Sequence, residues 1–580
     1  MANDDFEIRP GRSRDSGAGS SRRAGTLVGR VLQLSRRGGR SPRRGSATGR
    51  GTGRLGRGRG AALRHRGSAM RRRVIIKARV VRHRGVKFRS APLARHIAYL
   101  ERDGVTRDGT DACMFDAHGD EASGGAFAAR CENDRHHFRF IVSPEDAGQM
   151  ADLRAFTREL MEDMARDLET RLDWVAVDHL NTDNPHVHIL VRGIASDERD
   201  LVIDRAYIGA GLRSRAEERV TIELGPRSEH EVRRALAREV DAESWTSLDH
   251  RMRTMENELG IVDLRPDRGG TARSDLSLLL GRAAVLEGMG LAERTGPASW
   301  SLAPDLEPTL RTMGERGDII RTMHRAVSAS GRDVDAARFA MHGRAADRGI
   351  IGRLVERGLH DELTGEAYAI VEGLDGRTHH CRFADLEQTG DAAPGAIVER
   401  RIWTDRKGGR DAALTVRSDL PLEALIGARG ATWLDRQLLS PRPEALADGF
   451  GAEVRSALEE RCDWLVEQRL ASRRGGKVVF ARDVLDTLRA HDLAQAGESL
   501  AARHGGTARP AVAGEAVSGI YRERVSLASG RFAMIDNGMG FQLVPWRRDL
   551  DRHLGEHVTG NISDRGGVDW TFARSRGPAI

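Results

Sequence analysis

The sequence predicts an α+β fold: an antiparallel sheet carrying helices on one face, followed by mixed helical and small β modules. Three observations lead there. Short segments with period-two alternation recur between residues 74 and 192. Two amphipathic helical patterns are inserted among them, and the last two alternating segments are joined by Leu-Asn-Thr-Asp-Asn-Pro, whose Asn, Asp and Pro favour a turn. The resulting order of strand, helix, strand, helix, strand, strand suits neighbours paired antiparallel rather than a parallel sheet.

Residues 74–81, Val-Ile-Ile-Lys-Ala-Arg-Val-Val, alternate well enough for a first strand. Pro92 opens a helix running to about Arg102, with Leu93, Ile97 and Leu100 on one face and Asp103-Gly104 closing it. Phe138, Phe140 and Val142 mark a second strand. It is expected to end at Ser143-Pro144-Glu145-Asp146, which reads as a capping Ser, a Pro at the first helical position and acids in the first turn. Met150, Leu153, Leu160, Met161, Met164 and Leu168 then carry a helix to about residue 170. Two strands, 174–179 and 186–192, complete the unit as a hairpin.

The chain of 580 residues allows three to five domains. No stretch approaches the roughly 18 unbroken apolar residues of a membrane helix, and no apolar h-region follows the start. The expectation is a cytoplasmic protein without membrane insertion. Four cysteines, Cys113, Cys131, Cys381 and Cys462, lie far apart with no CxxC, which argues against a disulfide framework or a thiolate zinc site. Residues 1–73 hold 20 Arg, no Lys and 4 acids, a formal +16 against +8 for the whole chain, so the other 507 residues stand at −8. Such an Arg/Gly-rich arm is expected to be disordered and to meet a polyanion. The expected domains are this arm, a sheet domain at 74–210, helical regions at 211–360 and 411–512, and β units at 361–410 and 513–580.

In the last strand His186 and His188 are two residues apart and project to one face, while Val187, Ile189 and Val191 point into a core. His179 ends the preceding strand, and a cross-strand neighbour sits only about 5 Å away, so three imidazoles can converge on one point. A metal site is the economical reading. Three neutral imidazoles leave coordination positions open, as catalytic metals require, and imidazole suits zinc, manganese and later metals better than magnesium.

Tyr99 stands out among four tyrosines (Tyr99, Tyr207, Tyr368 and Tyr521) because Arg95, His96 and Arg102 share its helix face. Those cations would attract a phosphate and lower the cost of a phenolate, whose unperturbed pKa is about 10. A tyrosine attacking a DNA phosphodiester forms a phosphotyrosine that retains the bond's transfer potential, whereas water would discard it.

The segment His179-Leu-Asn-Thr-Asp-Asn-Pro-His186-Val-His188, the upstream Arg-His-Ile-Ala-Tyr-Leu-Glu-Arg-Asp-Gly around Tyr99, and Phe-Arg-Phe-Ile-Val-Ser-Pro-Glu-Asp between them resemble the motifs of HUH-type conjugative relaxases. The nearest likeness is to the branch of mobilisation nucleases that includes the nicking enzyme of Agrobacterium T-DNA transfer. The resemblance implies a ferredoxin-like HUH endonuclease domain that nicks one strand at an origin of transfer. It implies Tyr99 as nucleophile, His179, His186 and His188 as ligands of a divalent ion (magnesium or manganese, with zinc as the alternative), and Ser143 as a DNA contact. The implied partners are single-stranded and supercoiled origin DNA, accessory DNA-binding proteins and a type IV coupling protein, with export to a recipient cell on the transferred strand. Relatives often carry an acid two residues after the first histidine, where this chain has Asn181. The acid that orients a ligand or takes the tyrosine proton is therefore open among Asp178, Asp183 and Glu145.

The rivals are a rolling-circle initiator or transposase with the same chemistry, and a non-catalytic DNA-binding protein with a structural metal site. Further along, residues 286–296 and 465–475 align without gaps, sharing Leu, Leu, Ala, Arg and Gly, and each runs from a helical pattern into a hairpin, as the wing of a winged helix would.

Overall fold

The computed structural model describes residues 7–8, 57–58, 70–83, 91–103, 113–180, 184–266, 273–344, 346, 348–404, 408–512, 514–563 and 567–572. The chain divides into two compact units, one comprising Met1–Ala242 and Thr246–Leu302, the other Glu243–Trp245 and Ala303–Ile580.

The first unit is built on a sheet of β1 (Glu7–Ile8), β2 (Val74–Arg82), β3 (His136–Pro144), β4 (Trp174–His179) and β5 (His186–Arg192), in the order β1-β2-β3-β5-β4 with every pairing antiparallel. The α+β class holds, but helices pack on both faces of the sheet rather than on one, because the β4–β5 hairpin is apolar on each side. Helices α1 (Ala91–Asp103) and α2 (Gly124–Arg130) precede β3, and α3 (Leu153–Asp167) lies between β3 and β4. One sheet face, carrying Phe138, Phe140, Val142, Val187, Ile189 and Val191, buries against α3 and against α4 (Leu212–Leu224). A second layer, α1 and α2, packs Leu93, Ile97, Leu100 and Phe127 on Val175, Val177 and Leu190 of the opposite face.

Three more expectations change. The run Ser143-Pro144 stays in β3, and α3 is capped instead by Asp152, whose carboxylate accepts from the amides of Arg154 and Ala155. The core continues past residue 210, because Leu212, Ala216 and Val220 of α4 close it. The arm is not wholly outside the fold: Glu7 and Ile8 pair with Arg79 and Ala78, Arg57 bridges to Ile203, and Arg72 is buried against Asp146. Residues 1–6, 9–56 and 59–69 of the arm lie outside the described residues.

After α5 (Glu229–Val240) the same unit contains α6 (Ser247–Met255), β6 (Ile261–Asp263), α7 (Arg273–Gly288) and the hairpin β7 (Ala292–Gly296) and β8 (Ser299–Leu302). The second unit begins with the long α8 (Leu306–Ala329) and continues into β9 (Phe339–His342), β10 (Ile350–Asp361), β11 (Glu366–Gly373), β12 (Thr378–Phe383), β13 (Ile397–Thr404) and β14 (Arg410–Ser418). Next come α9 (Leu422–Ile426), α10 (Trp433–Leu438), α11 (Phe450–Glu467), the hairpin β15 (Ala471–Arg474) and β16 (Lys477–Phe480), and α12 (Val484–His504). The chain closes with β17 (Ala508–Arg509), β18 (Ala516–Leu527), β19 (Gly530–Asp536), β20 (Phe541–Pro545), β21 (His557–Ile562) and β22 (Val568–Thr571). No helix among the described residues is long and apolar enough to cross a membrane.

These elements repeat. The two six-stranded sheets have the orders β14-β13-β10-β11-β12-β9 and β22-β21-β18-β19-β20-β17, one topology strand for strand, each with one parallel pair at its end. Their longest strands carry the same irregularity, between Leu354 and Glu356 in β10 and between Tyr521 and Glu523 in β18. Before each six-stranded sheet the chain runs helix, hairpin, long helix.

The two helical parts share a buried lock. Arg282 donates to both carboxylate oxygens of Asp249 at 2.8 and 2.9 Å and to the carbonyls of Val240 and Ala242 at 3.0 and 2.6 Å. Arg461 makes the same four bonds to Asp435, Ile426 and Ala428 at the same distances. Each Asp also closes a capping box, with Thr246 and with Thr432. Recurrence of a whole bond set, position by position, identifies an internal duplication.

Candidate metal centre

The register of the β4–β5 hairpin sets His179 directly opposite His186, and His188 follows on the same face. That face also bears Val175, Val177 and Leu190, on which helices α1 and α2 pack beside the histidines. All three imidazoles are buried. Their ring centroids are 5.3 Å (His179–His186), 4.5 Å (His179–His188) and 4.9 Å (His186–His188) apart, and one nitrogen from each lies within 4.8 Å of the others.

The bonds around the trio select its tautomers. His186 Nδ1 donates to the Asn184 carbonyl at 2.8 Å, which leaves Nε2 as an acceptor facing His188 Nε2 at 3.1 Å. Two imidazole nitrogens on one tetrahedral ion at about 2.0–2.1 Å stand roughly 3.3 Å apart, so this pair has the spacing of two ligands of a single cation. The donor set fits a divalent metal. His179 Nε2 lies 3.3 Å from the carbonyl oxygen of Leu100, which ties the third histidine to α1.

The other expected site residues fall in different places. Ser143 is half-buried, one step beyond the pair Val142–Val187, on the trio's face, and its Oγ donates to the Pro185 carbonyl at 3.2 Å. Asp178 alternates to the opposite face, where Arg154 clamps it at 3.0 and 2.9 Å, so it is turned away from the histidines. Glu145 is exposed and sits 3.6 Å from Arg73 and 3.8 Å from Arg227. Residue 99 belongs to α1, immediately before Leu100. The side chains of Arg95, Tyr99 and Arg102, and all of Asp183, lie outside the described residues. His96 is half-buried, and its charge helps hold His137 below the usual imidazole range, after the larger effects of burial and of Arg139 and His83.

The remaining tyrosines are poor nucleophiles. Tyr207, Tyr368 and Tyr521 are buried, and Tyr207 donates to Asp167 at 3.0 Å. Burial, reinforced by the neighbouring carboxylate, pushes the Tyr207 phenol far above its ordinary pKa.

One feature went unread in the sequence. Ile75, Lys77 and Arg79 of β2 pair with Ser143, Ile141 and Arg139 of β3, so a strip of cations continues the trio's face across the sheet. Ile75 and Lys77 are exposed. Beside them, His83 and His137 meet at 2.7 Å, and Arg139 donates to His137 at 3.1 Å. Burial, then the charge of Arg79, brings Arg139 down to about 9. The period-two pattern of residues 74–81 carries this signal, because the residues left out of the apolar face are these.

Two family models match the chain. Residues 122–216 match the MobA/VirD2-like nuclease domain of relaxases, a span that holds the three histidines and begins after residue 99. Residues 279–405 and 400–579 match DUF3363, described as a protein of unknown function, and together cover just over half of the 580 residues. No curated protein and no solved structure matches the chain. The chain therefore belongs to the DUF3363 family and carries, in its first unit, a relaxase-type DNA nuclease domain.

Proposed function

We propose that the chain is a metal-dependent relaxase that nicks one DNA strand at an origin of transfer through Tyr99 and reseals it afterwards. The observation that carries this reading is a buried imidazole trio, inside a MobA/VirD2-like nuclease segment, bonded to the helix that contains residue 99. Tyr207, Tyr368 and Tyr521 are each enclosed, which leaves Tyr99 as the nucleophile by chemistry and by elimination.

In the proposed reaction the Tyr99 oxygen bonds to phosphorus, the bond from phosphorus to the 3′ oxygen breaks, and the phenol's proton is balanced by one gained at that 3′ oxygen. The products are a 5′-phosphotyrosine and a free 3′ hydroxyl, and the reverse attack restores the strand. When bound, a divalent ion (magnesium or manganese, with zinc as the alternative) supplies Lewis-acid polarisation of the phosphate. His179, His186 and His188 would hold it. Arg95, His96 and Arg102 attract the scissile phosphate, and Ser143 contacts DNA beside the nick. With Asp178 committed to Arg154, Asp183 and Glu145 are the acids to test for orienting a histidine or taking the phenol proton. The Arg-rich arm adds salt-sensitive, sequence-independent affinity. Accessory DNA-binding proteins, a type IV coupling protein and export with the strand belong to the same proposal.

Supercoiled plasmid bearing the origin, incubated with protein and manganese and then treated with protease and detergent, should yield relaxed circles whose 5′ end is blocked. Tyr99→Phe should form no adduct while still binding DNA. Intact supercoils with the wild-type protein would support a DNA-binding protein with a structural metal. A rolling-circle initiator or transposase would cut equally well but at sequences on which transfer between cells does not depend.

A further inference from the structure

The two hairpins of the duplication share a backbone plan and differ in charge. In the second, β15 and β16 are joined by Gly475 and Gly476, with φ of 54° and 78°, so the chain reverses in two residues and sets Arg474 directly opposite Lys477. Between Arg469 and Arg482 the sequence holds five cations (Arg469, Arg473, Arg474, Lys477 and Arg482) and no acid, and all five are exposed. The matching stretch of the first copy, from Gly290 to Pro304, holds one acid, Glu293, and one cation, Arg294. That arginine is committed to Glu287 and lies over the Trp300 ring.

The second hairpin is built at a cost. Like charges opposed on a β ladder destabilise it, and the ribbon's packing is confined to its base, where Ala471 and Phe480 meet a core, so the tip gains little from it. Arg473 reaches back to Asp463, but neither Arg474 nor Lys477 is ion-paired among the described residues. An anion seated between them would relieve the repulsion.

We propose that the β15–β16 hairpin grips the phosphate backbone of duplex DNA, independently of base sequence. A two-stranded ribbon fits a groove of B-form DNA. Residues 472–479 carry no aromatic ring, so the tip lacks the stacking platform that single-strand binders use. The helix before the hairpin does not take part. The exposed side of α11 presents Glu459, Glu460 and Glu467 against Arg455, with Glu453 and Asp463 paired to Arg353 and Arg473, a balance that does not favour phosphate. Of the two wings expected from sequence, one has become the contact, and it works by its tip alone.

The test compares the full chain with an Arg474→Ser, Lys477→Ser variant. Fluorescence anisotropy is followed on a duplex of about 30 base pairs of arbitrary sequence and on a single strand of that length, across roughly 50–200 mM salt. The arm is present in both proteins, so its contribution cancels. Losing two phosphate contacts should make the salt slope on duplex shallower by about 1.8 and lower duplex affinity at least about tenfold near 0.1 M salt. Affinity for the single strand should stay within about twofold of wild type. An Arg474→Lys, Lys477→Arg variant, which keeps both charges, should bind duplex as the wild type does. Unchanged duplex affinity in the Ser variant, or equal losses on both nucleic acids, would overturn the proposal. Binding is read without cleavage, so the result stands apart from the nuclease reading.

Discussion

His179 Nε2 and the carbonyl oxygen of Leu100 lie 3.3 Å apart, a single bond that joins the edge strand of the sheet to helix α1. The bond places a proton on Nε2 and the lone pair of that ring on Nδ1. Because Leu100 is itself buried among Val175, Val177 and Ile97, the helix cannot slide along the sheet without breaking both packing and this bond.

Manganese should raise the melting temperature of the wild-type protein by mass action, by roughly 2.7 kcal/mol of stability when the ion is at 100 times its dissociation constant. A His186→Ala, His188→Ala variant should show no such rise. The measurement is thermal unfolding with and without metal, and equal shifts in the two proteins would remove these histidines from the ligand set.

Arg282→Met and Arg461→Met each leave a buried aspartate without its counter-ion, at a cost of about 3–5 kcal/mol. Replacing Asp249 by Leu together with Arg282→Met should recover part of that loss, since the uncompensated charge disappears, while the Thr246 cap and the Val240 and Ala242 carbonyls lose their partners. Chemical denaturation of the single and double variants supplies the cycle. Additive losses would show that the lock contributes nothing as a pair.

Glycines preceding the shared strand irregularity allow close backbone approach. A Cβ at Gly352 would lie 2.0 Å from the Glu372 carbonyl oxygen, and one at Gly519 would lie 2.4 Å from that of Asp536. Both glycine-to-alanine changes should therefore destabilise by more than about 2 kcal/mol, as overpacking against backbone does. Gly343→Ala, with open space around it, should be close to neutral in the same urea titrations.

Part of the acid sensitivity should trace to His380, which burial and then the charge of His360 hold down to about 3, with His137 and His342 lowered by burial in the same direction. Below pH 6.5 the unfolded chain takes up a proton that the folded chain refuses until near pH 3. Stability is thus fully present above 6.5 and falls across that window, with a slope of up to about 1.4 kcal/mol per pH unit from this group. His380→Phe, which keeps a ring stacked on Tyr368, should flatten the profile. Parallel pH profiles of urea midpoints would assign the acid sensitivity elsewhere.

Local pattern made the hairpin and the apolar stripe of α1 legible: period-two alternation and turn residues mark 174–192, and Leu93, Ile97 and Leu100 all prove buried. The trio's convergence follows from the same alternation. Capping misled where Ser143 and Pro144 imitate a helix start, because the ladder to Val74 and Ile75 outweighs a local capping preference. Asp178 could be placed on a face by parity, but its arginine comes from a helix 24 residues earlier, beyond the reach of pattern. The duplication left only a five-residue trace, since what repeats is a set of long-range bonds. The Arg282–Asp249 and Arg461–Asp435 pairs span 33 and 26 residues, so no fixed spacing announces them.

Two consecutive copies of one topology create a hazard while the chain is still being assembled: a strand of either copy has the hydrogen-bonding frame to enter the other's ladder. The residue just before the shared irregularity is Leu354 in one sheet and Tyr521 in the other. An exchanged strand would force a phenol ring into a leucine-sized space, or leave a void where the ring belongs. Mismatched bulk at equivalent points thus disfavours an exchanged strand over the native one.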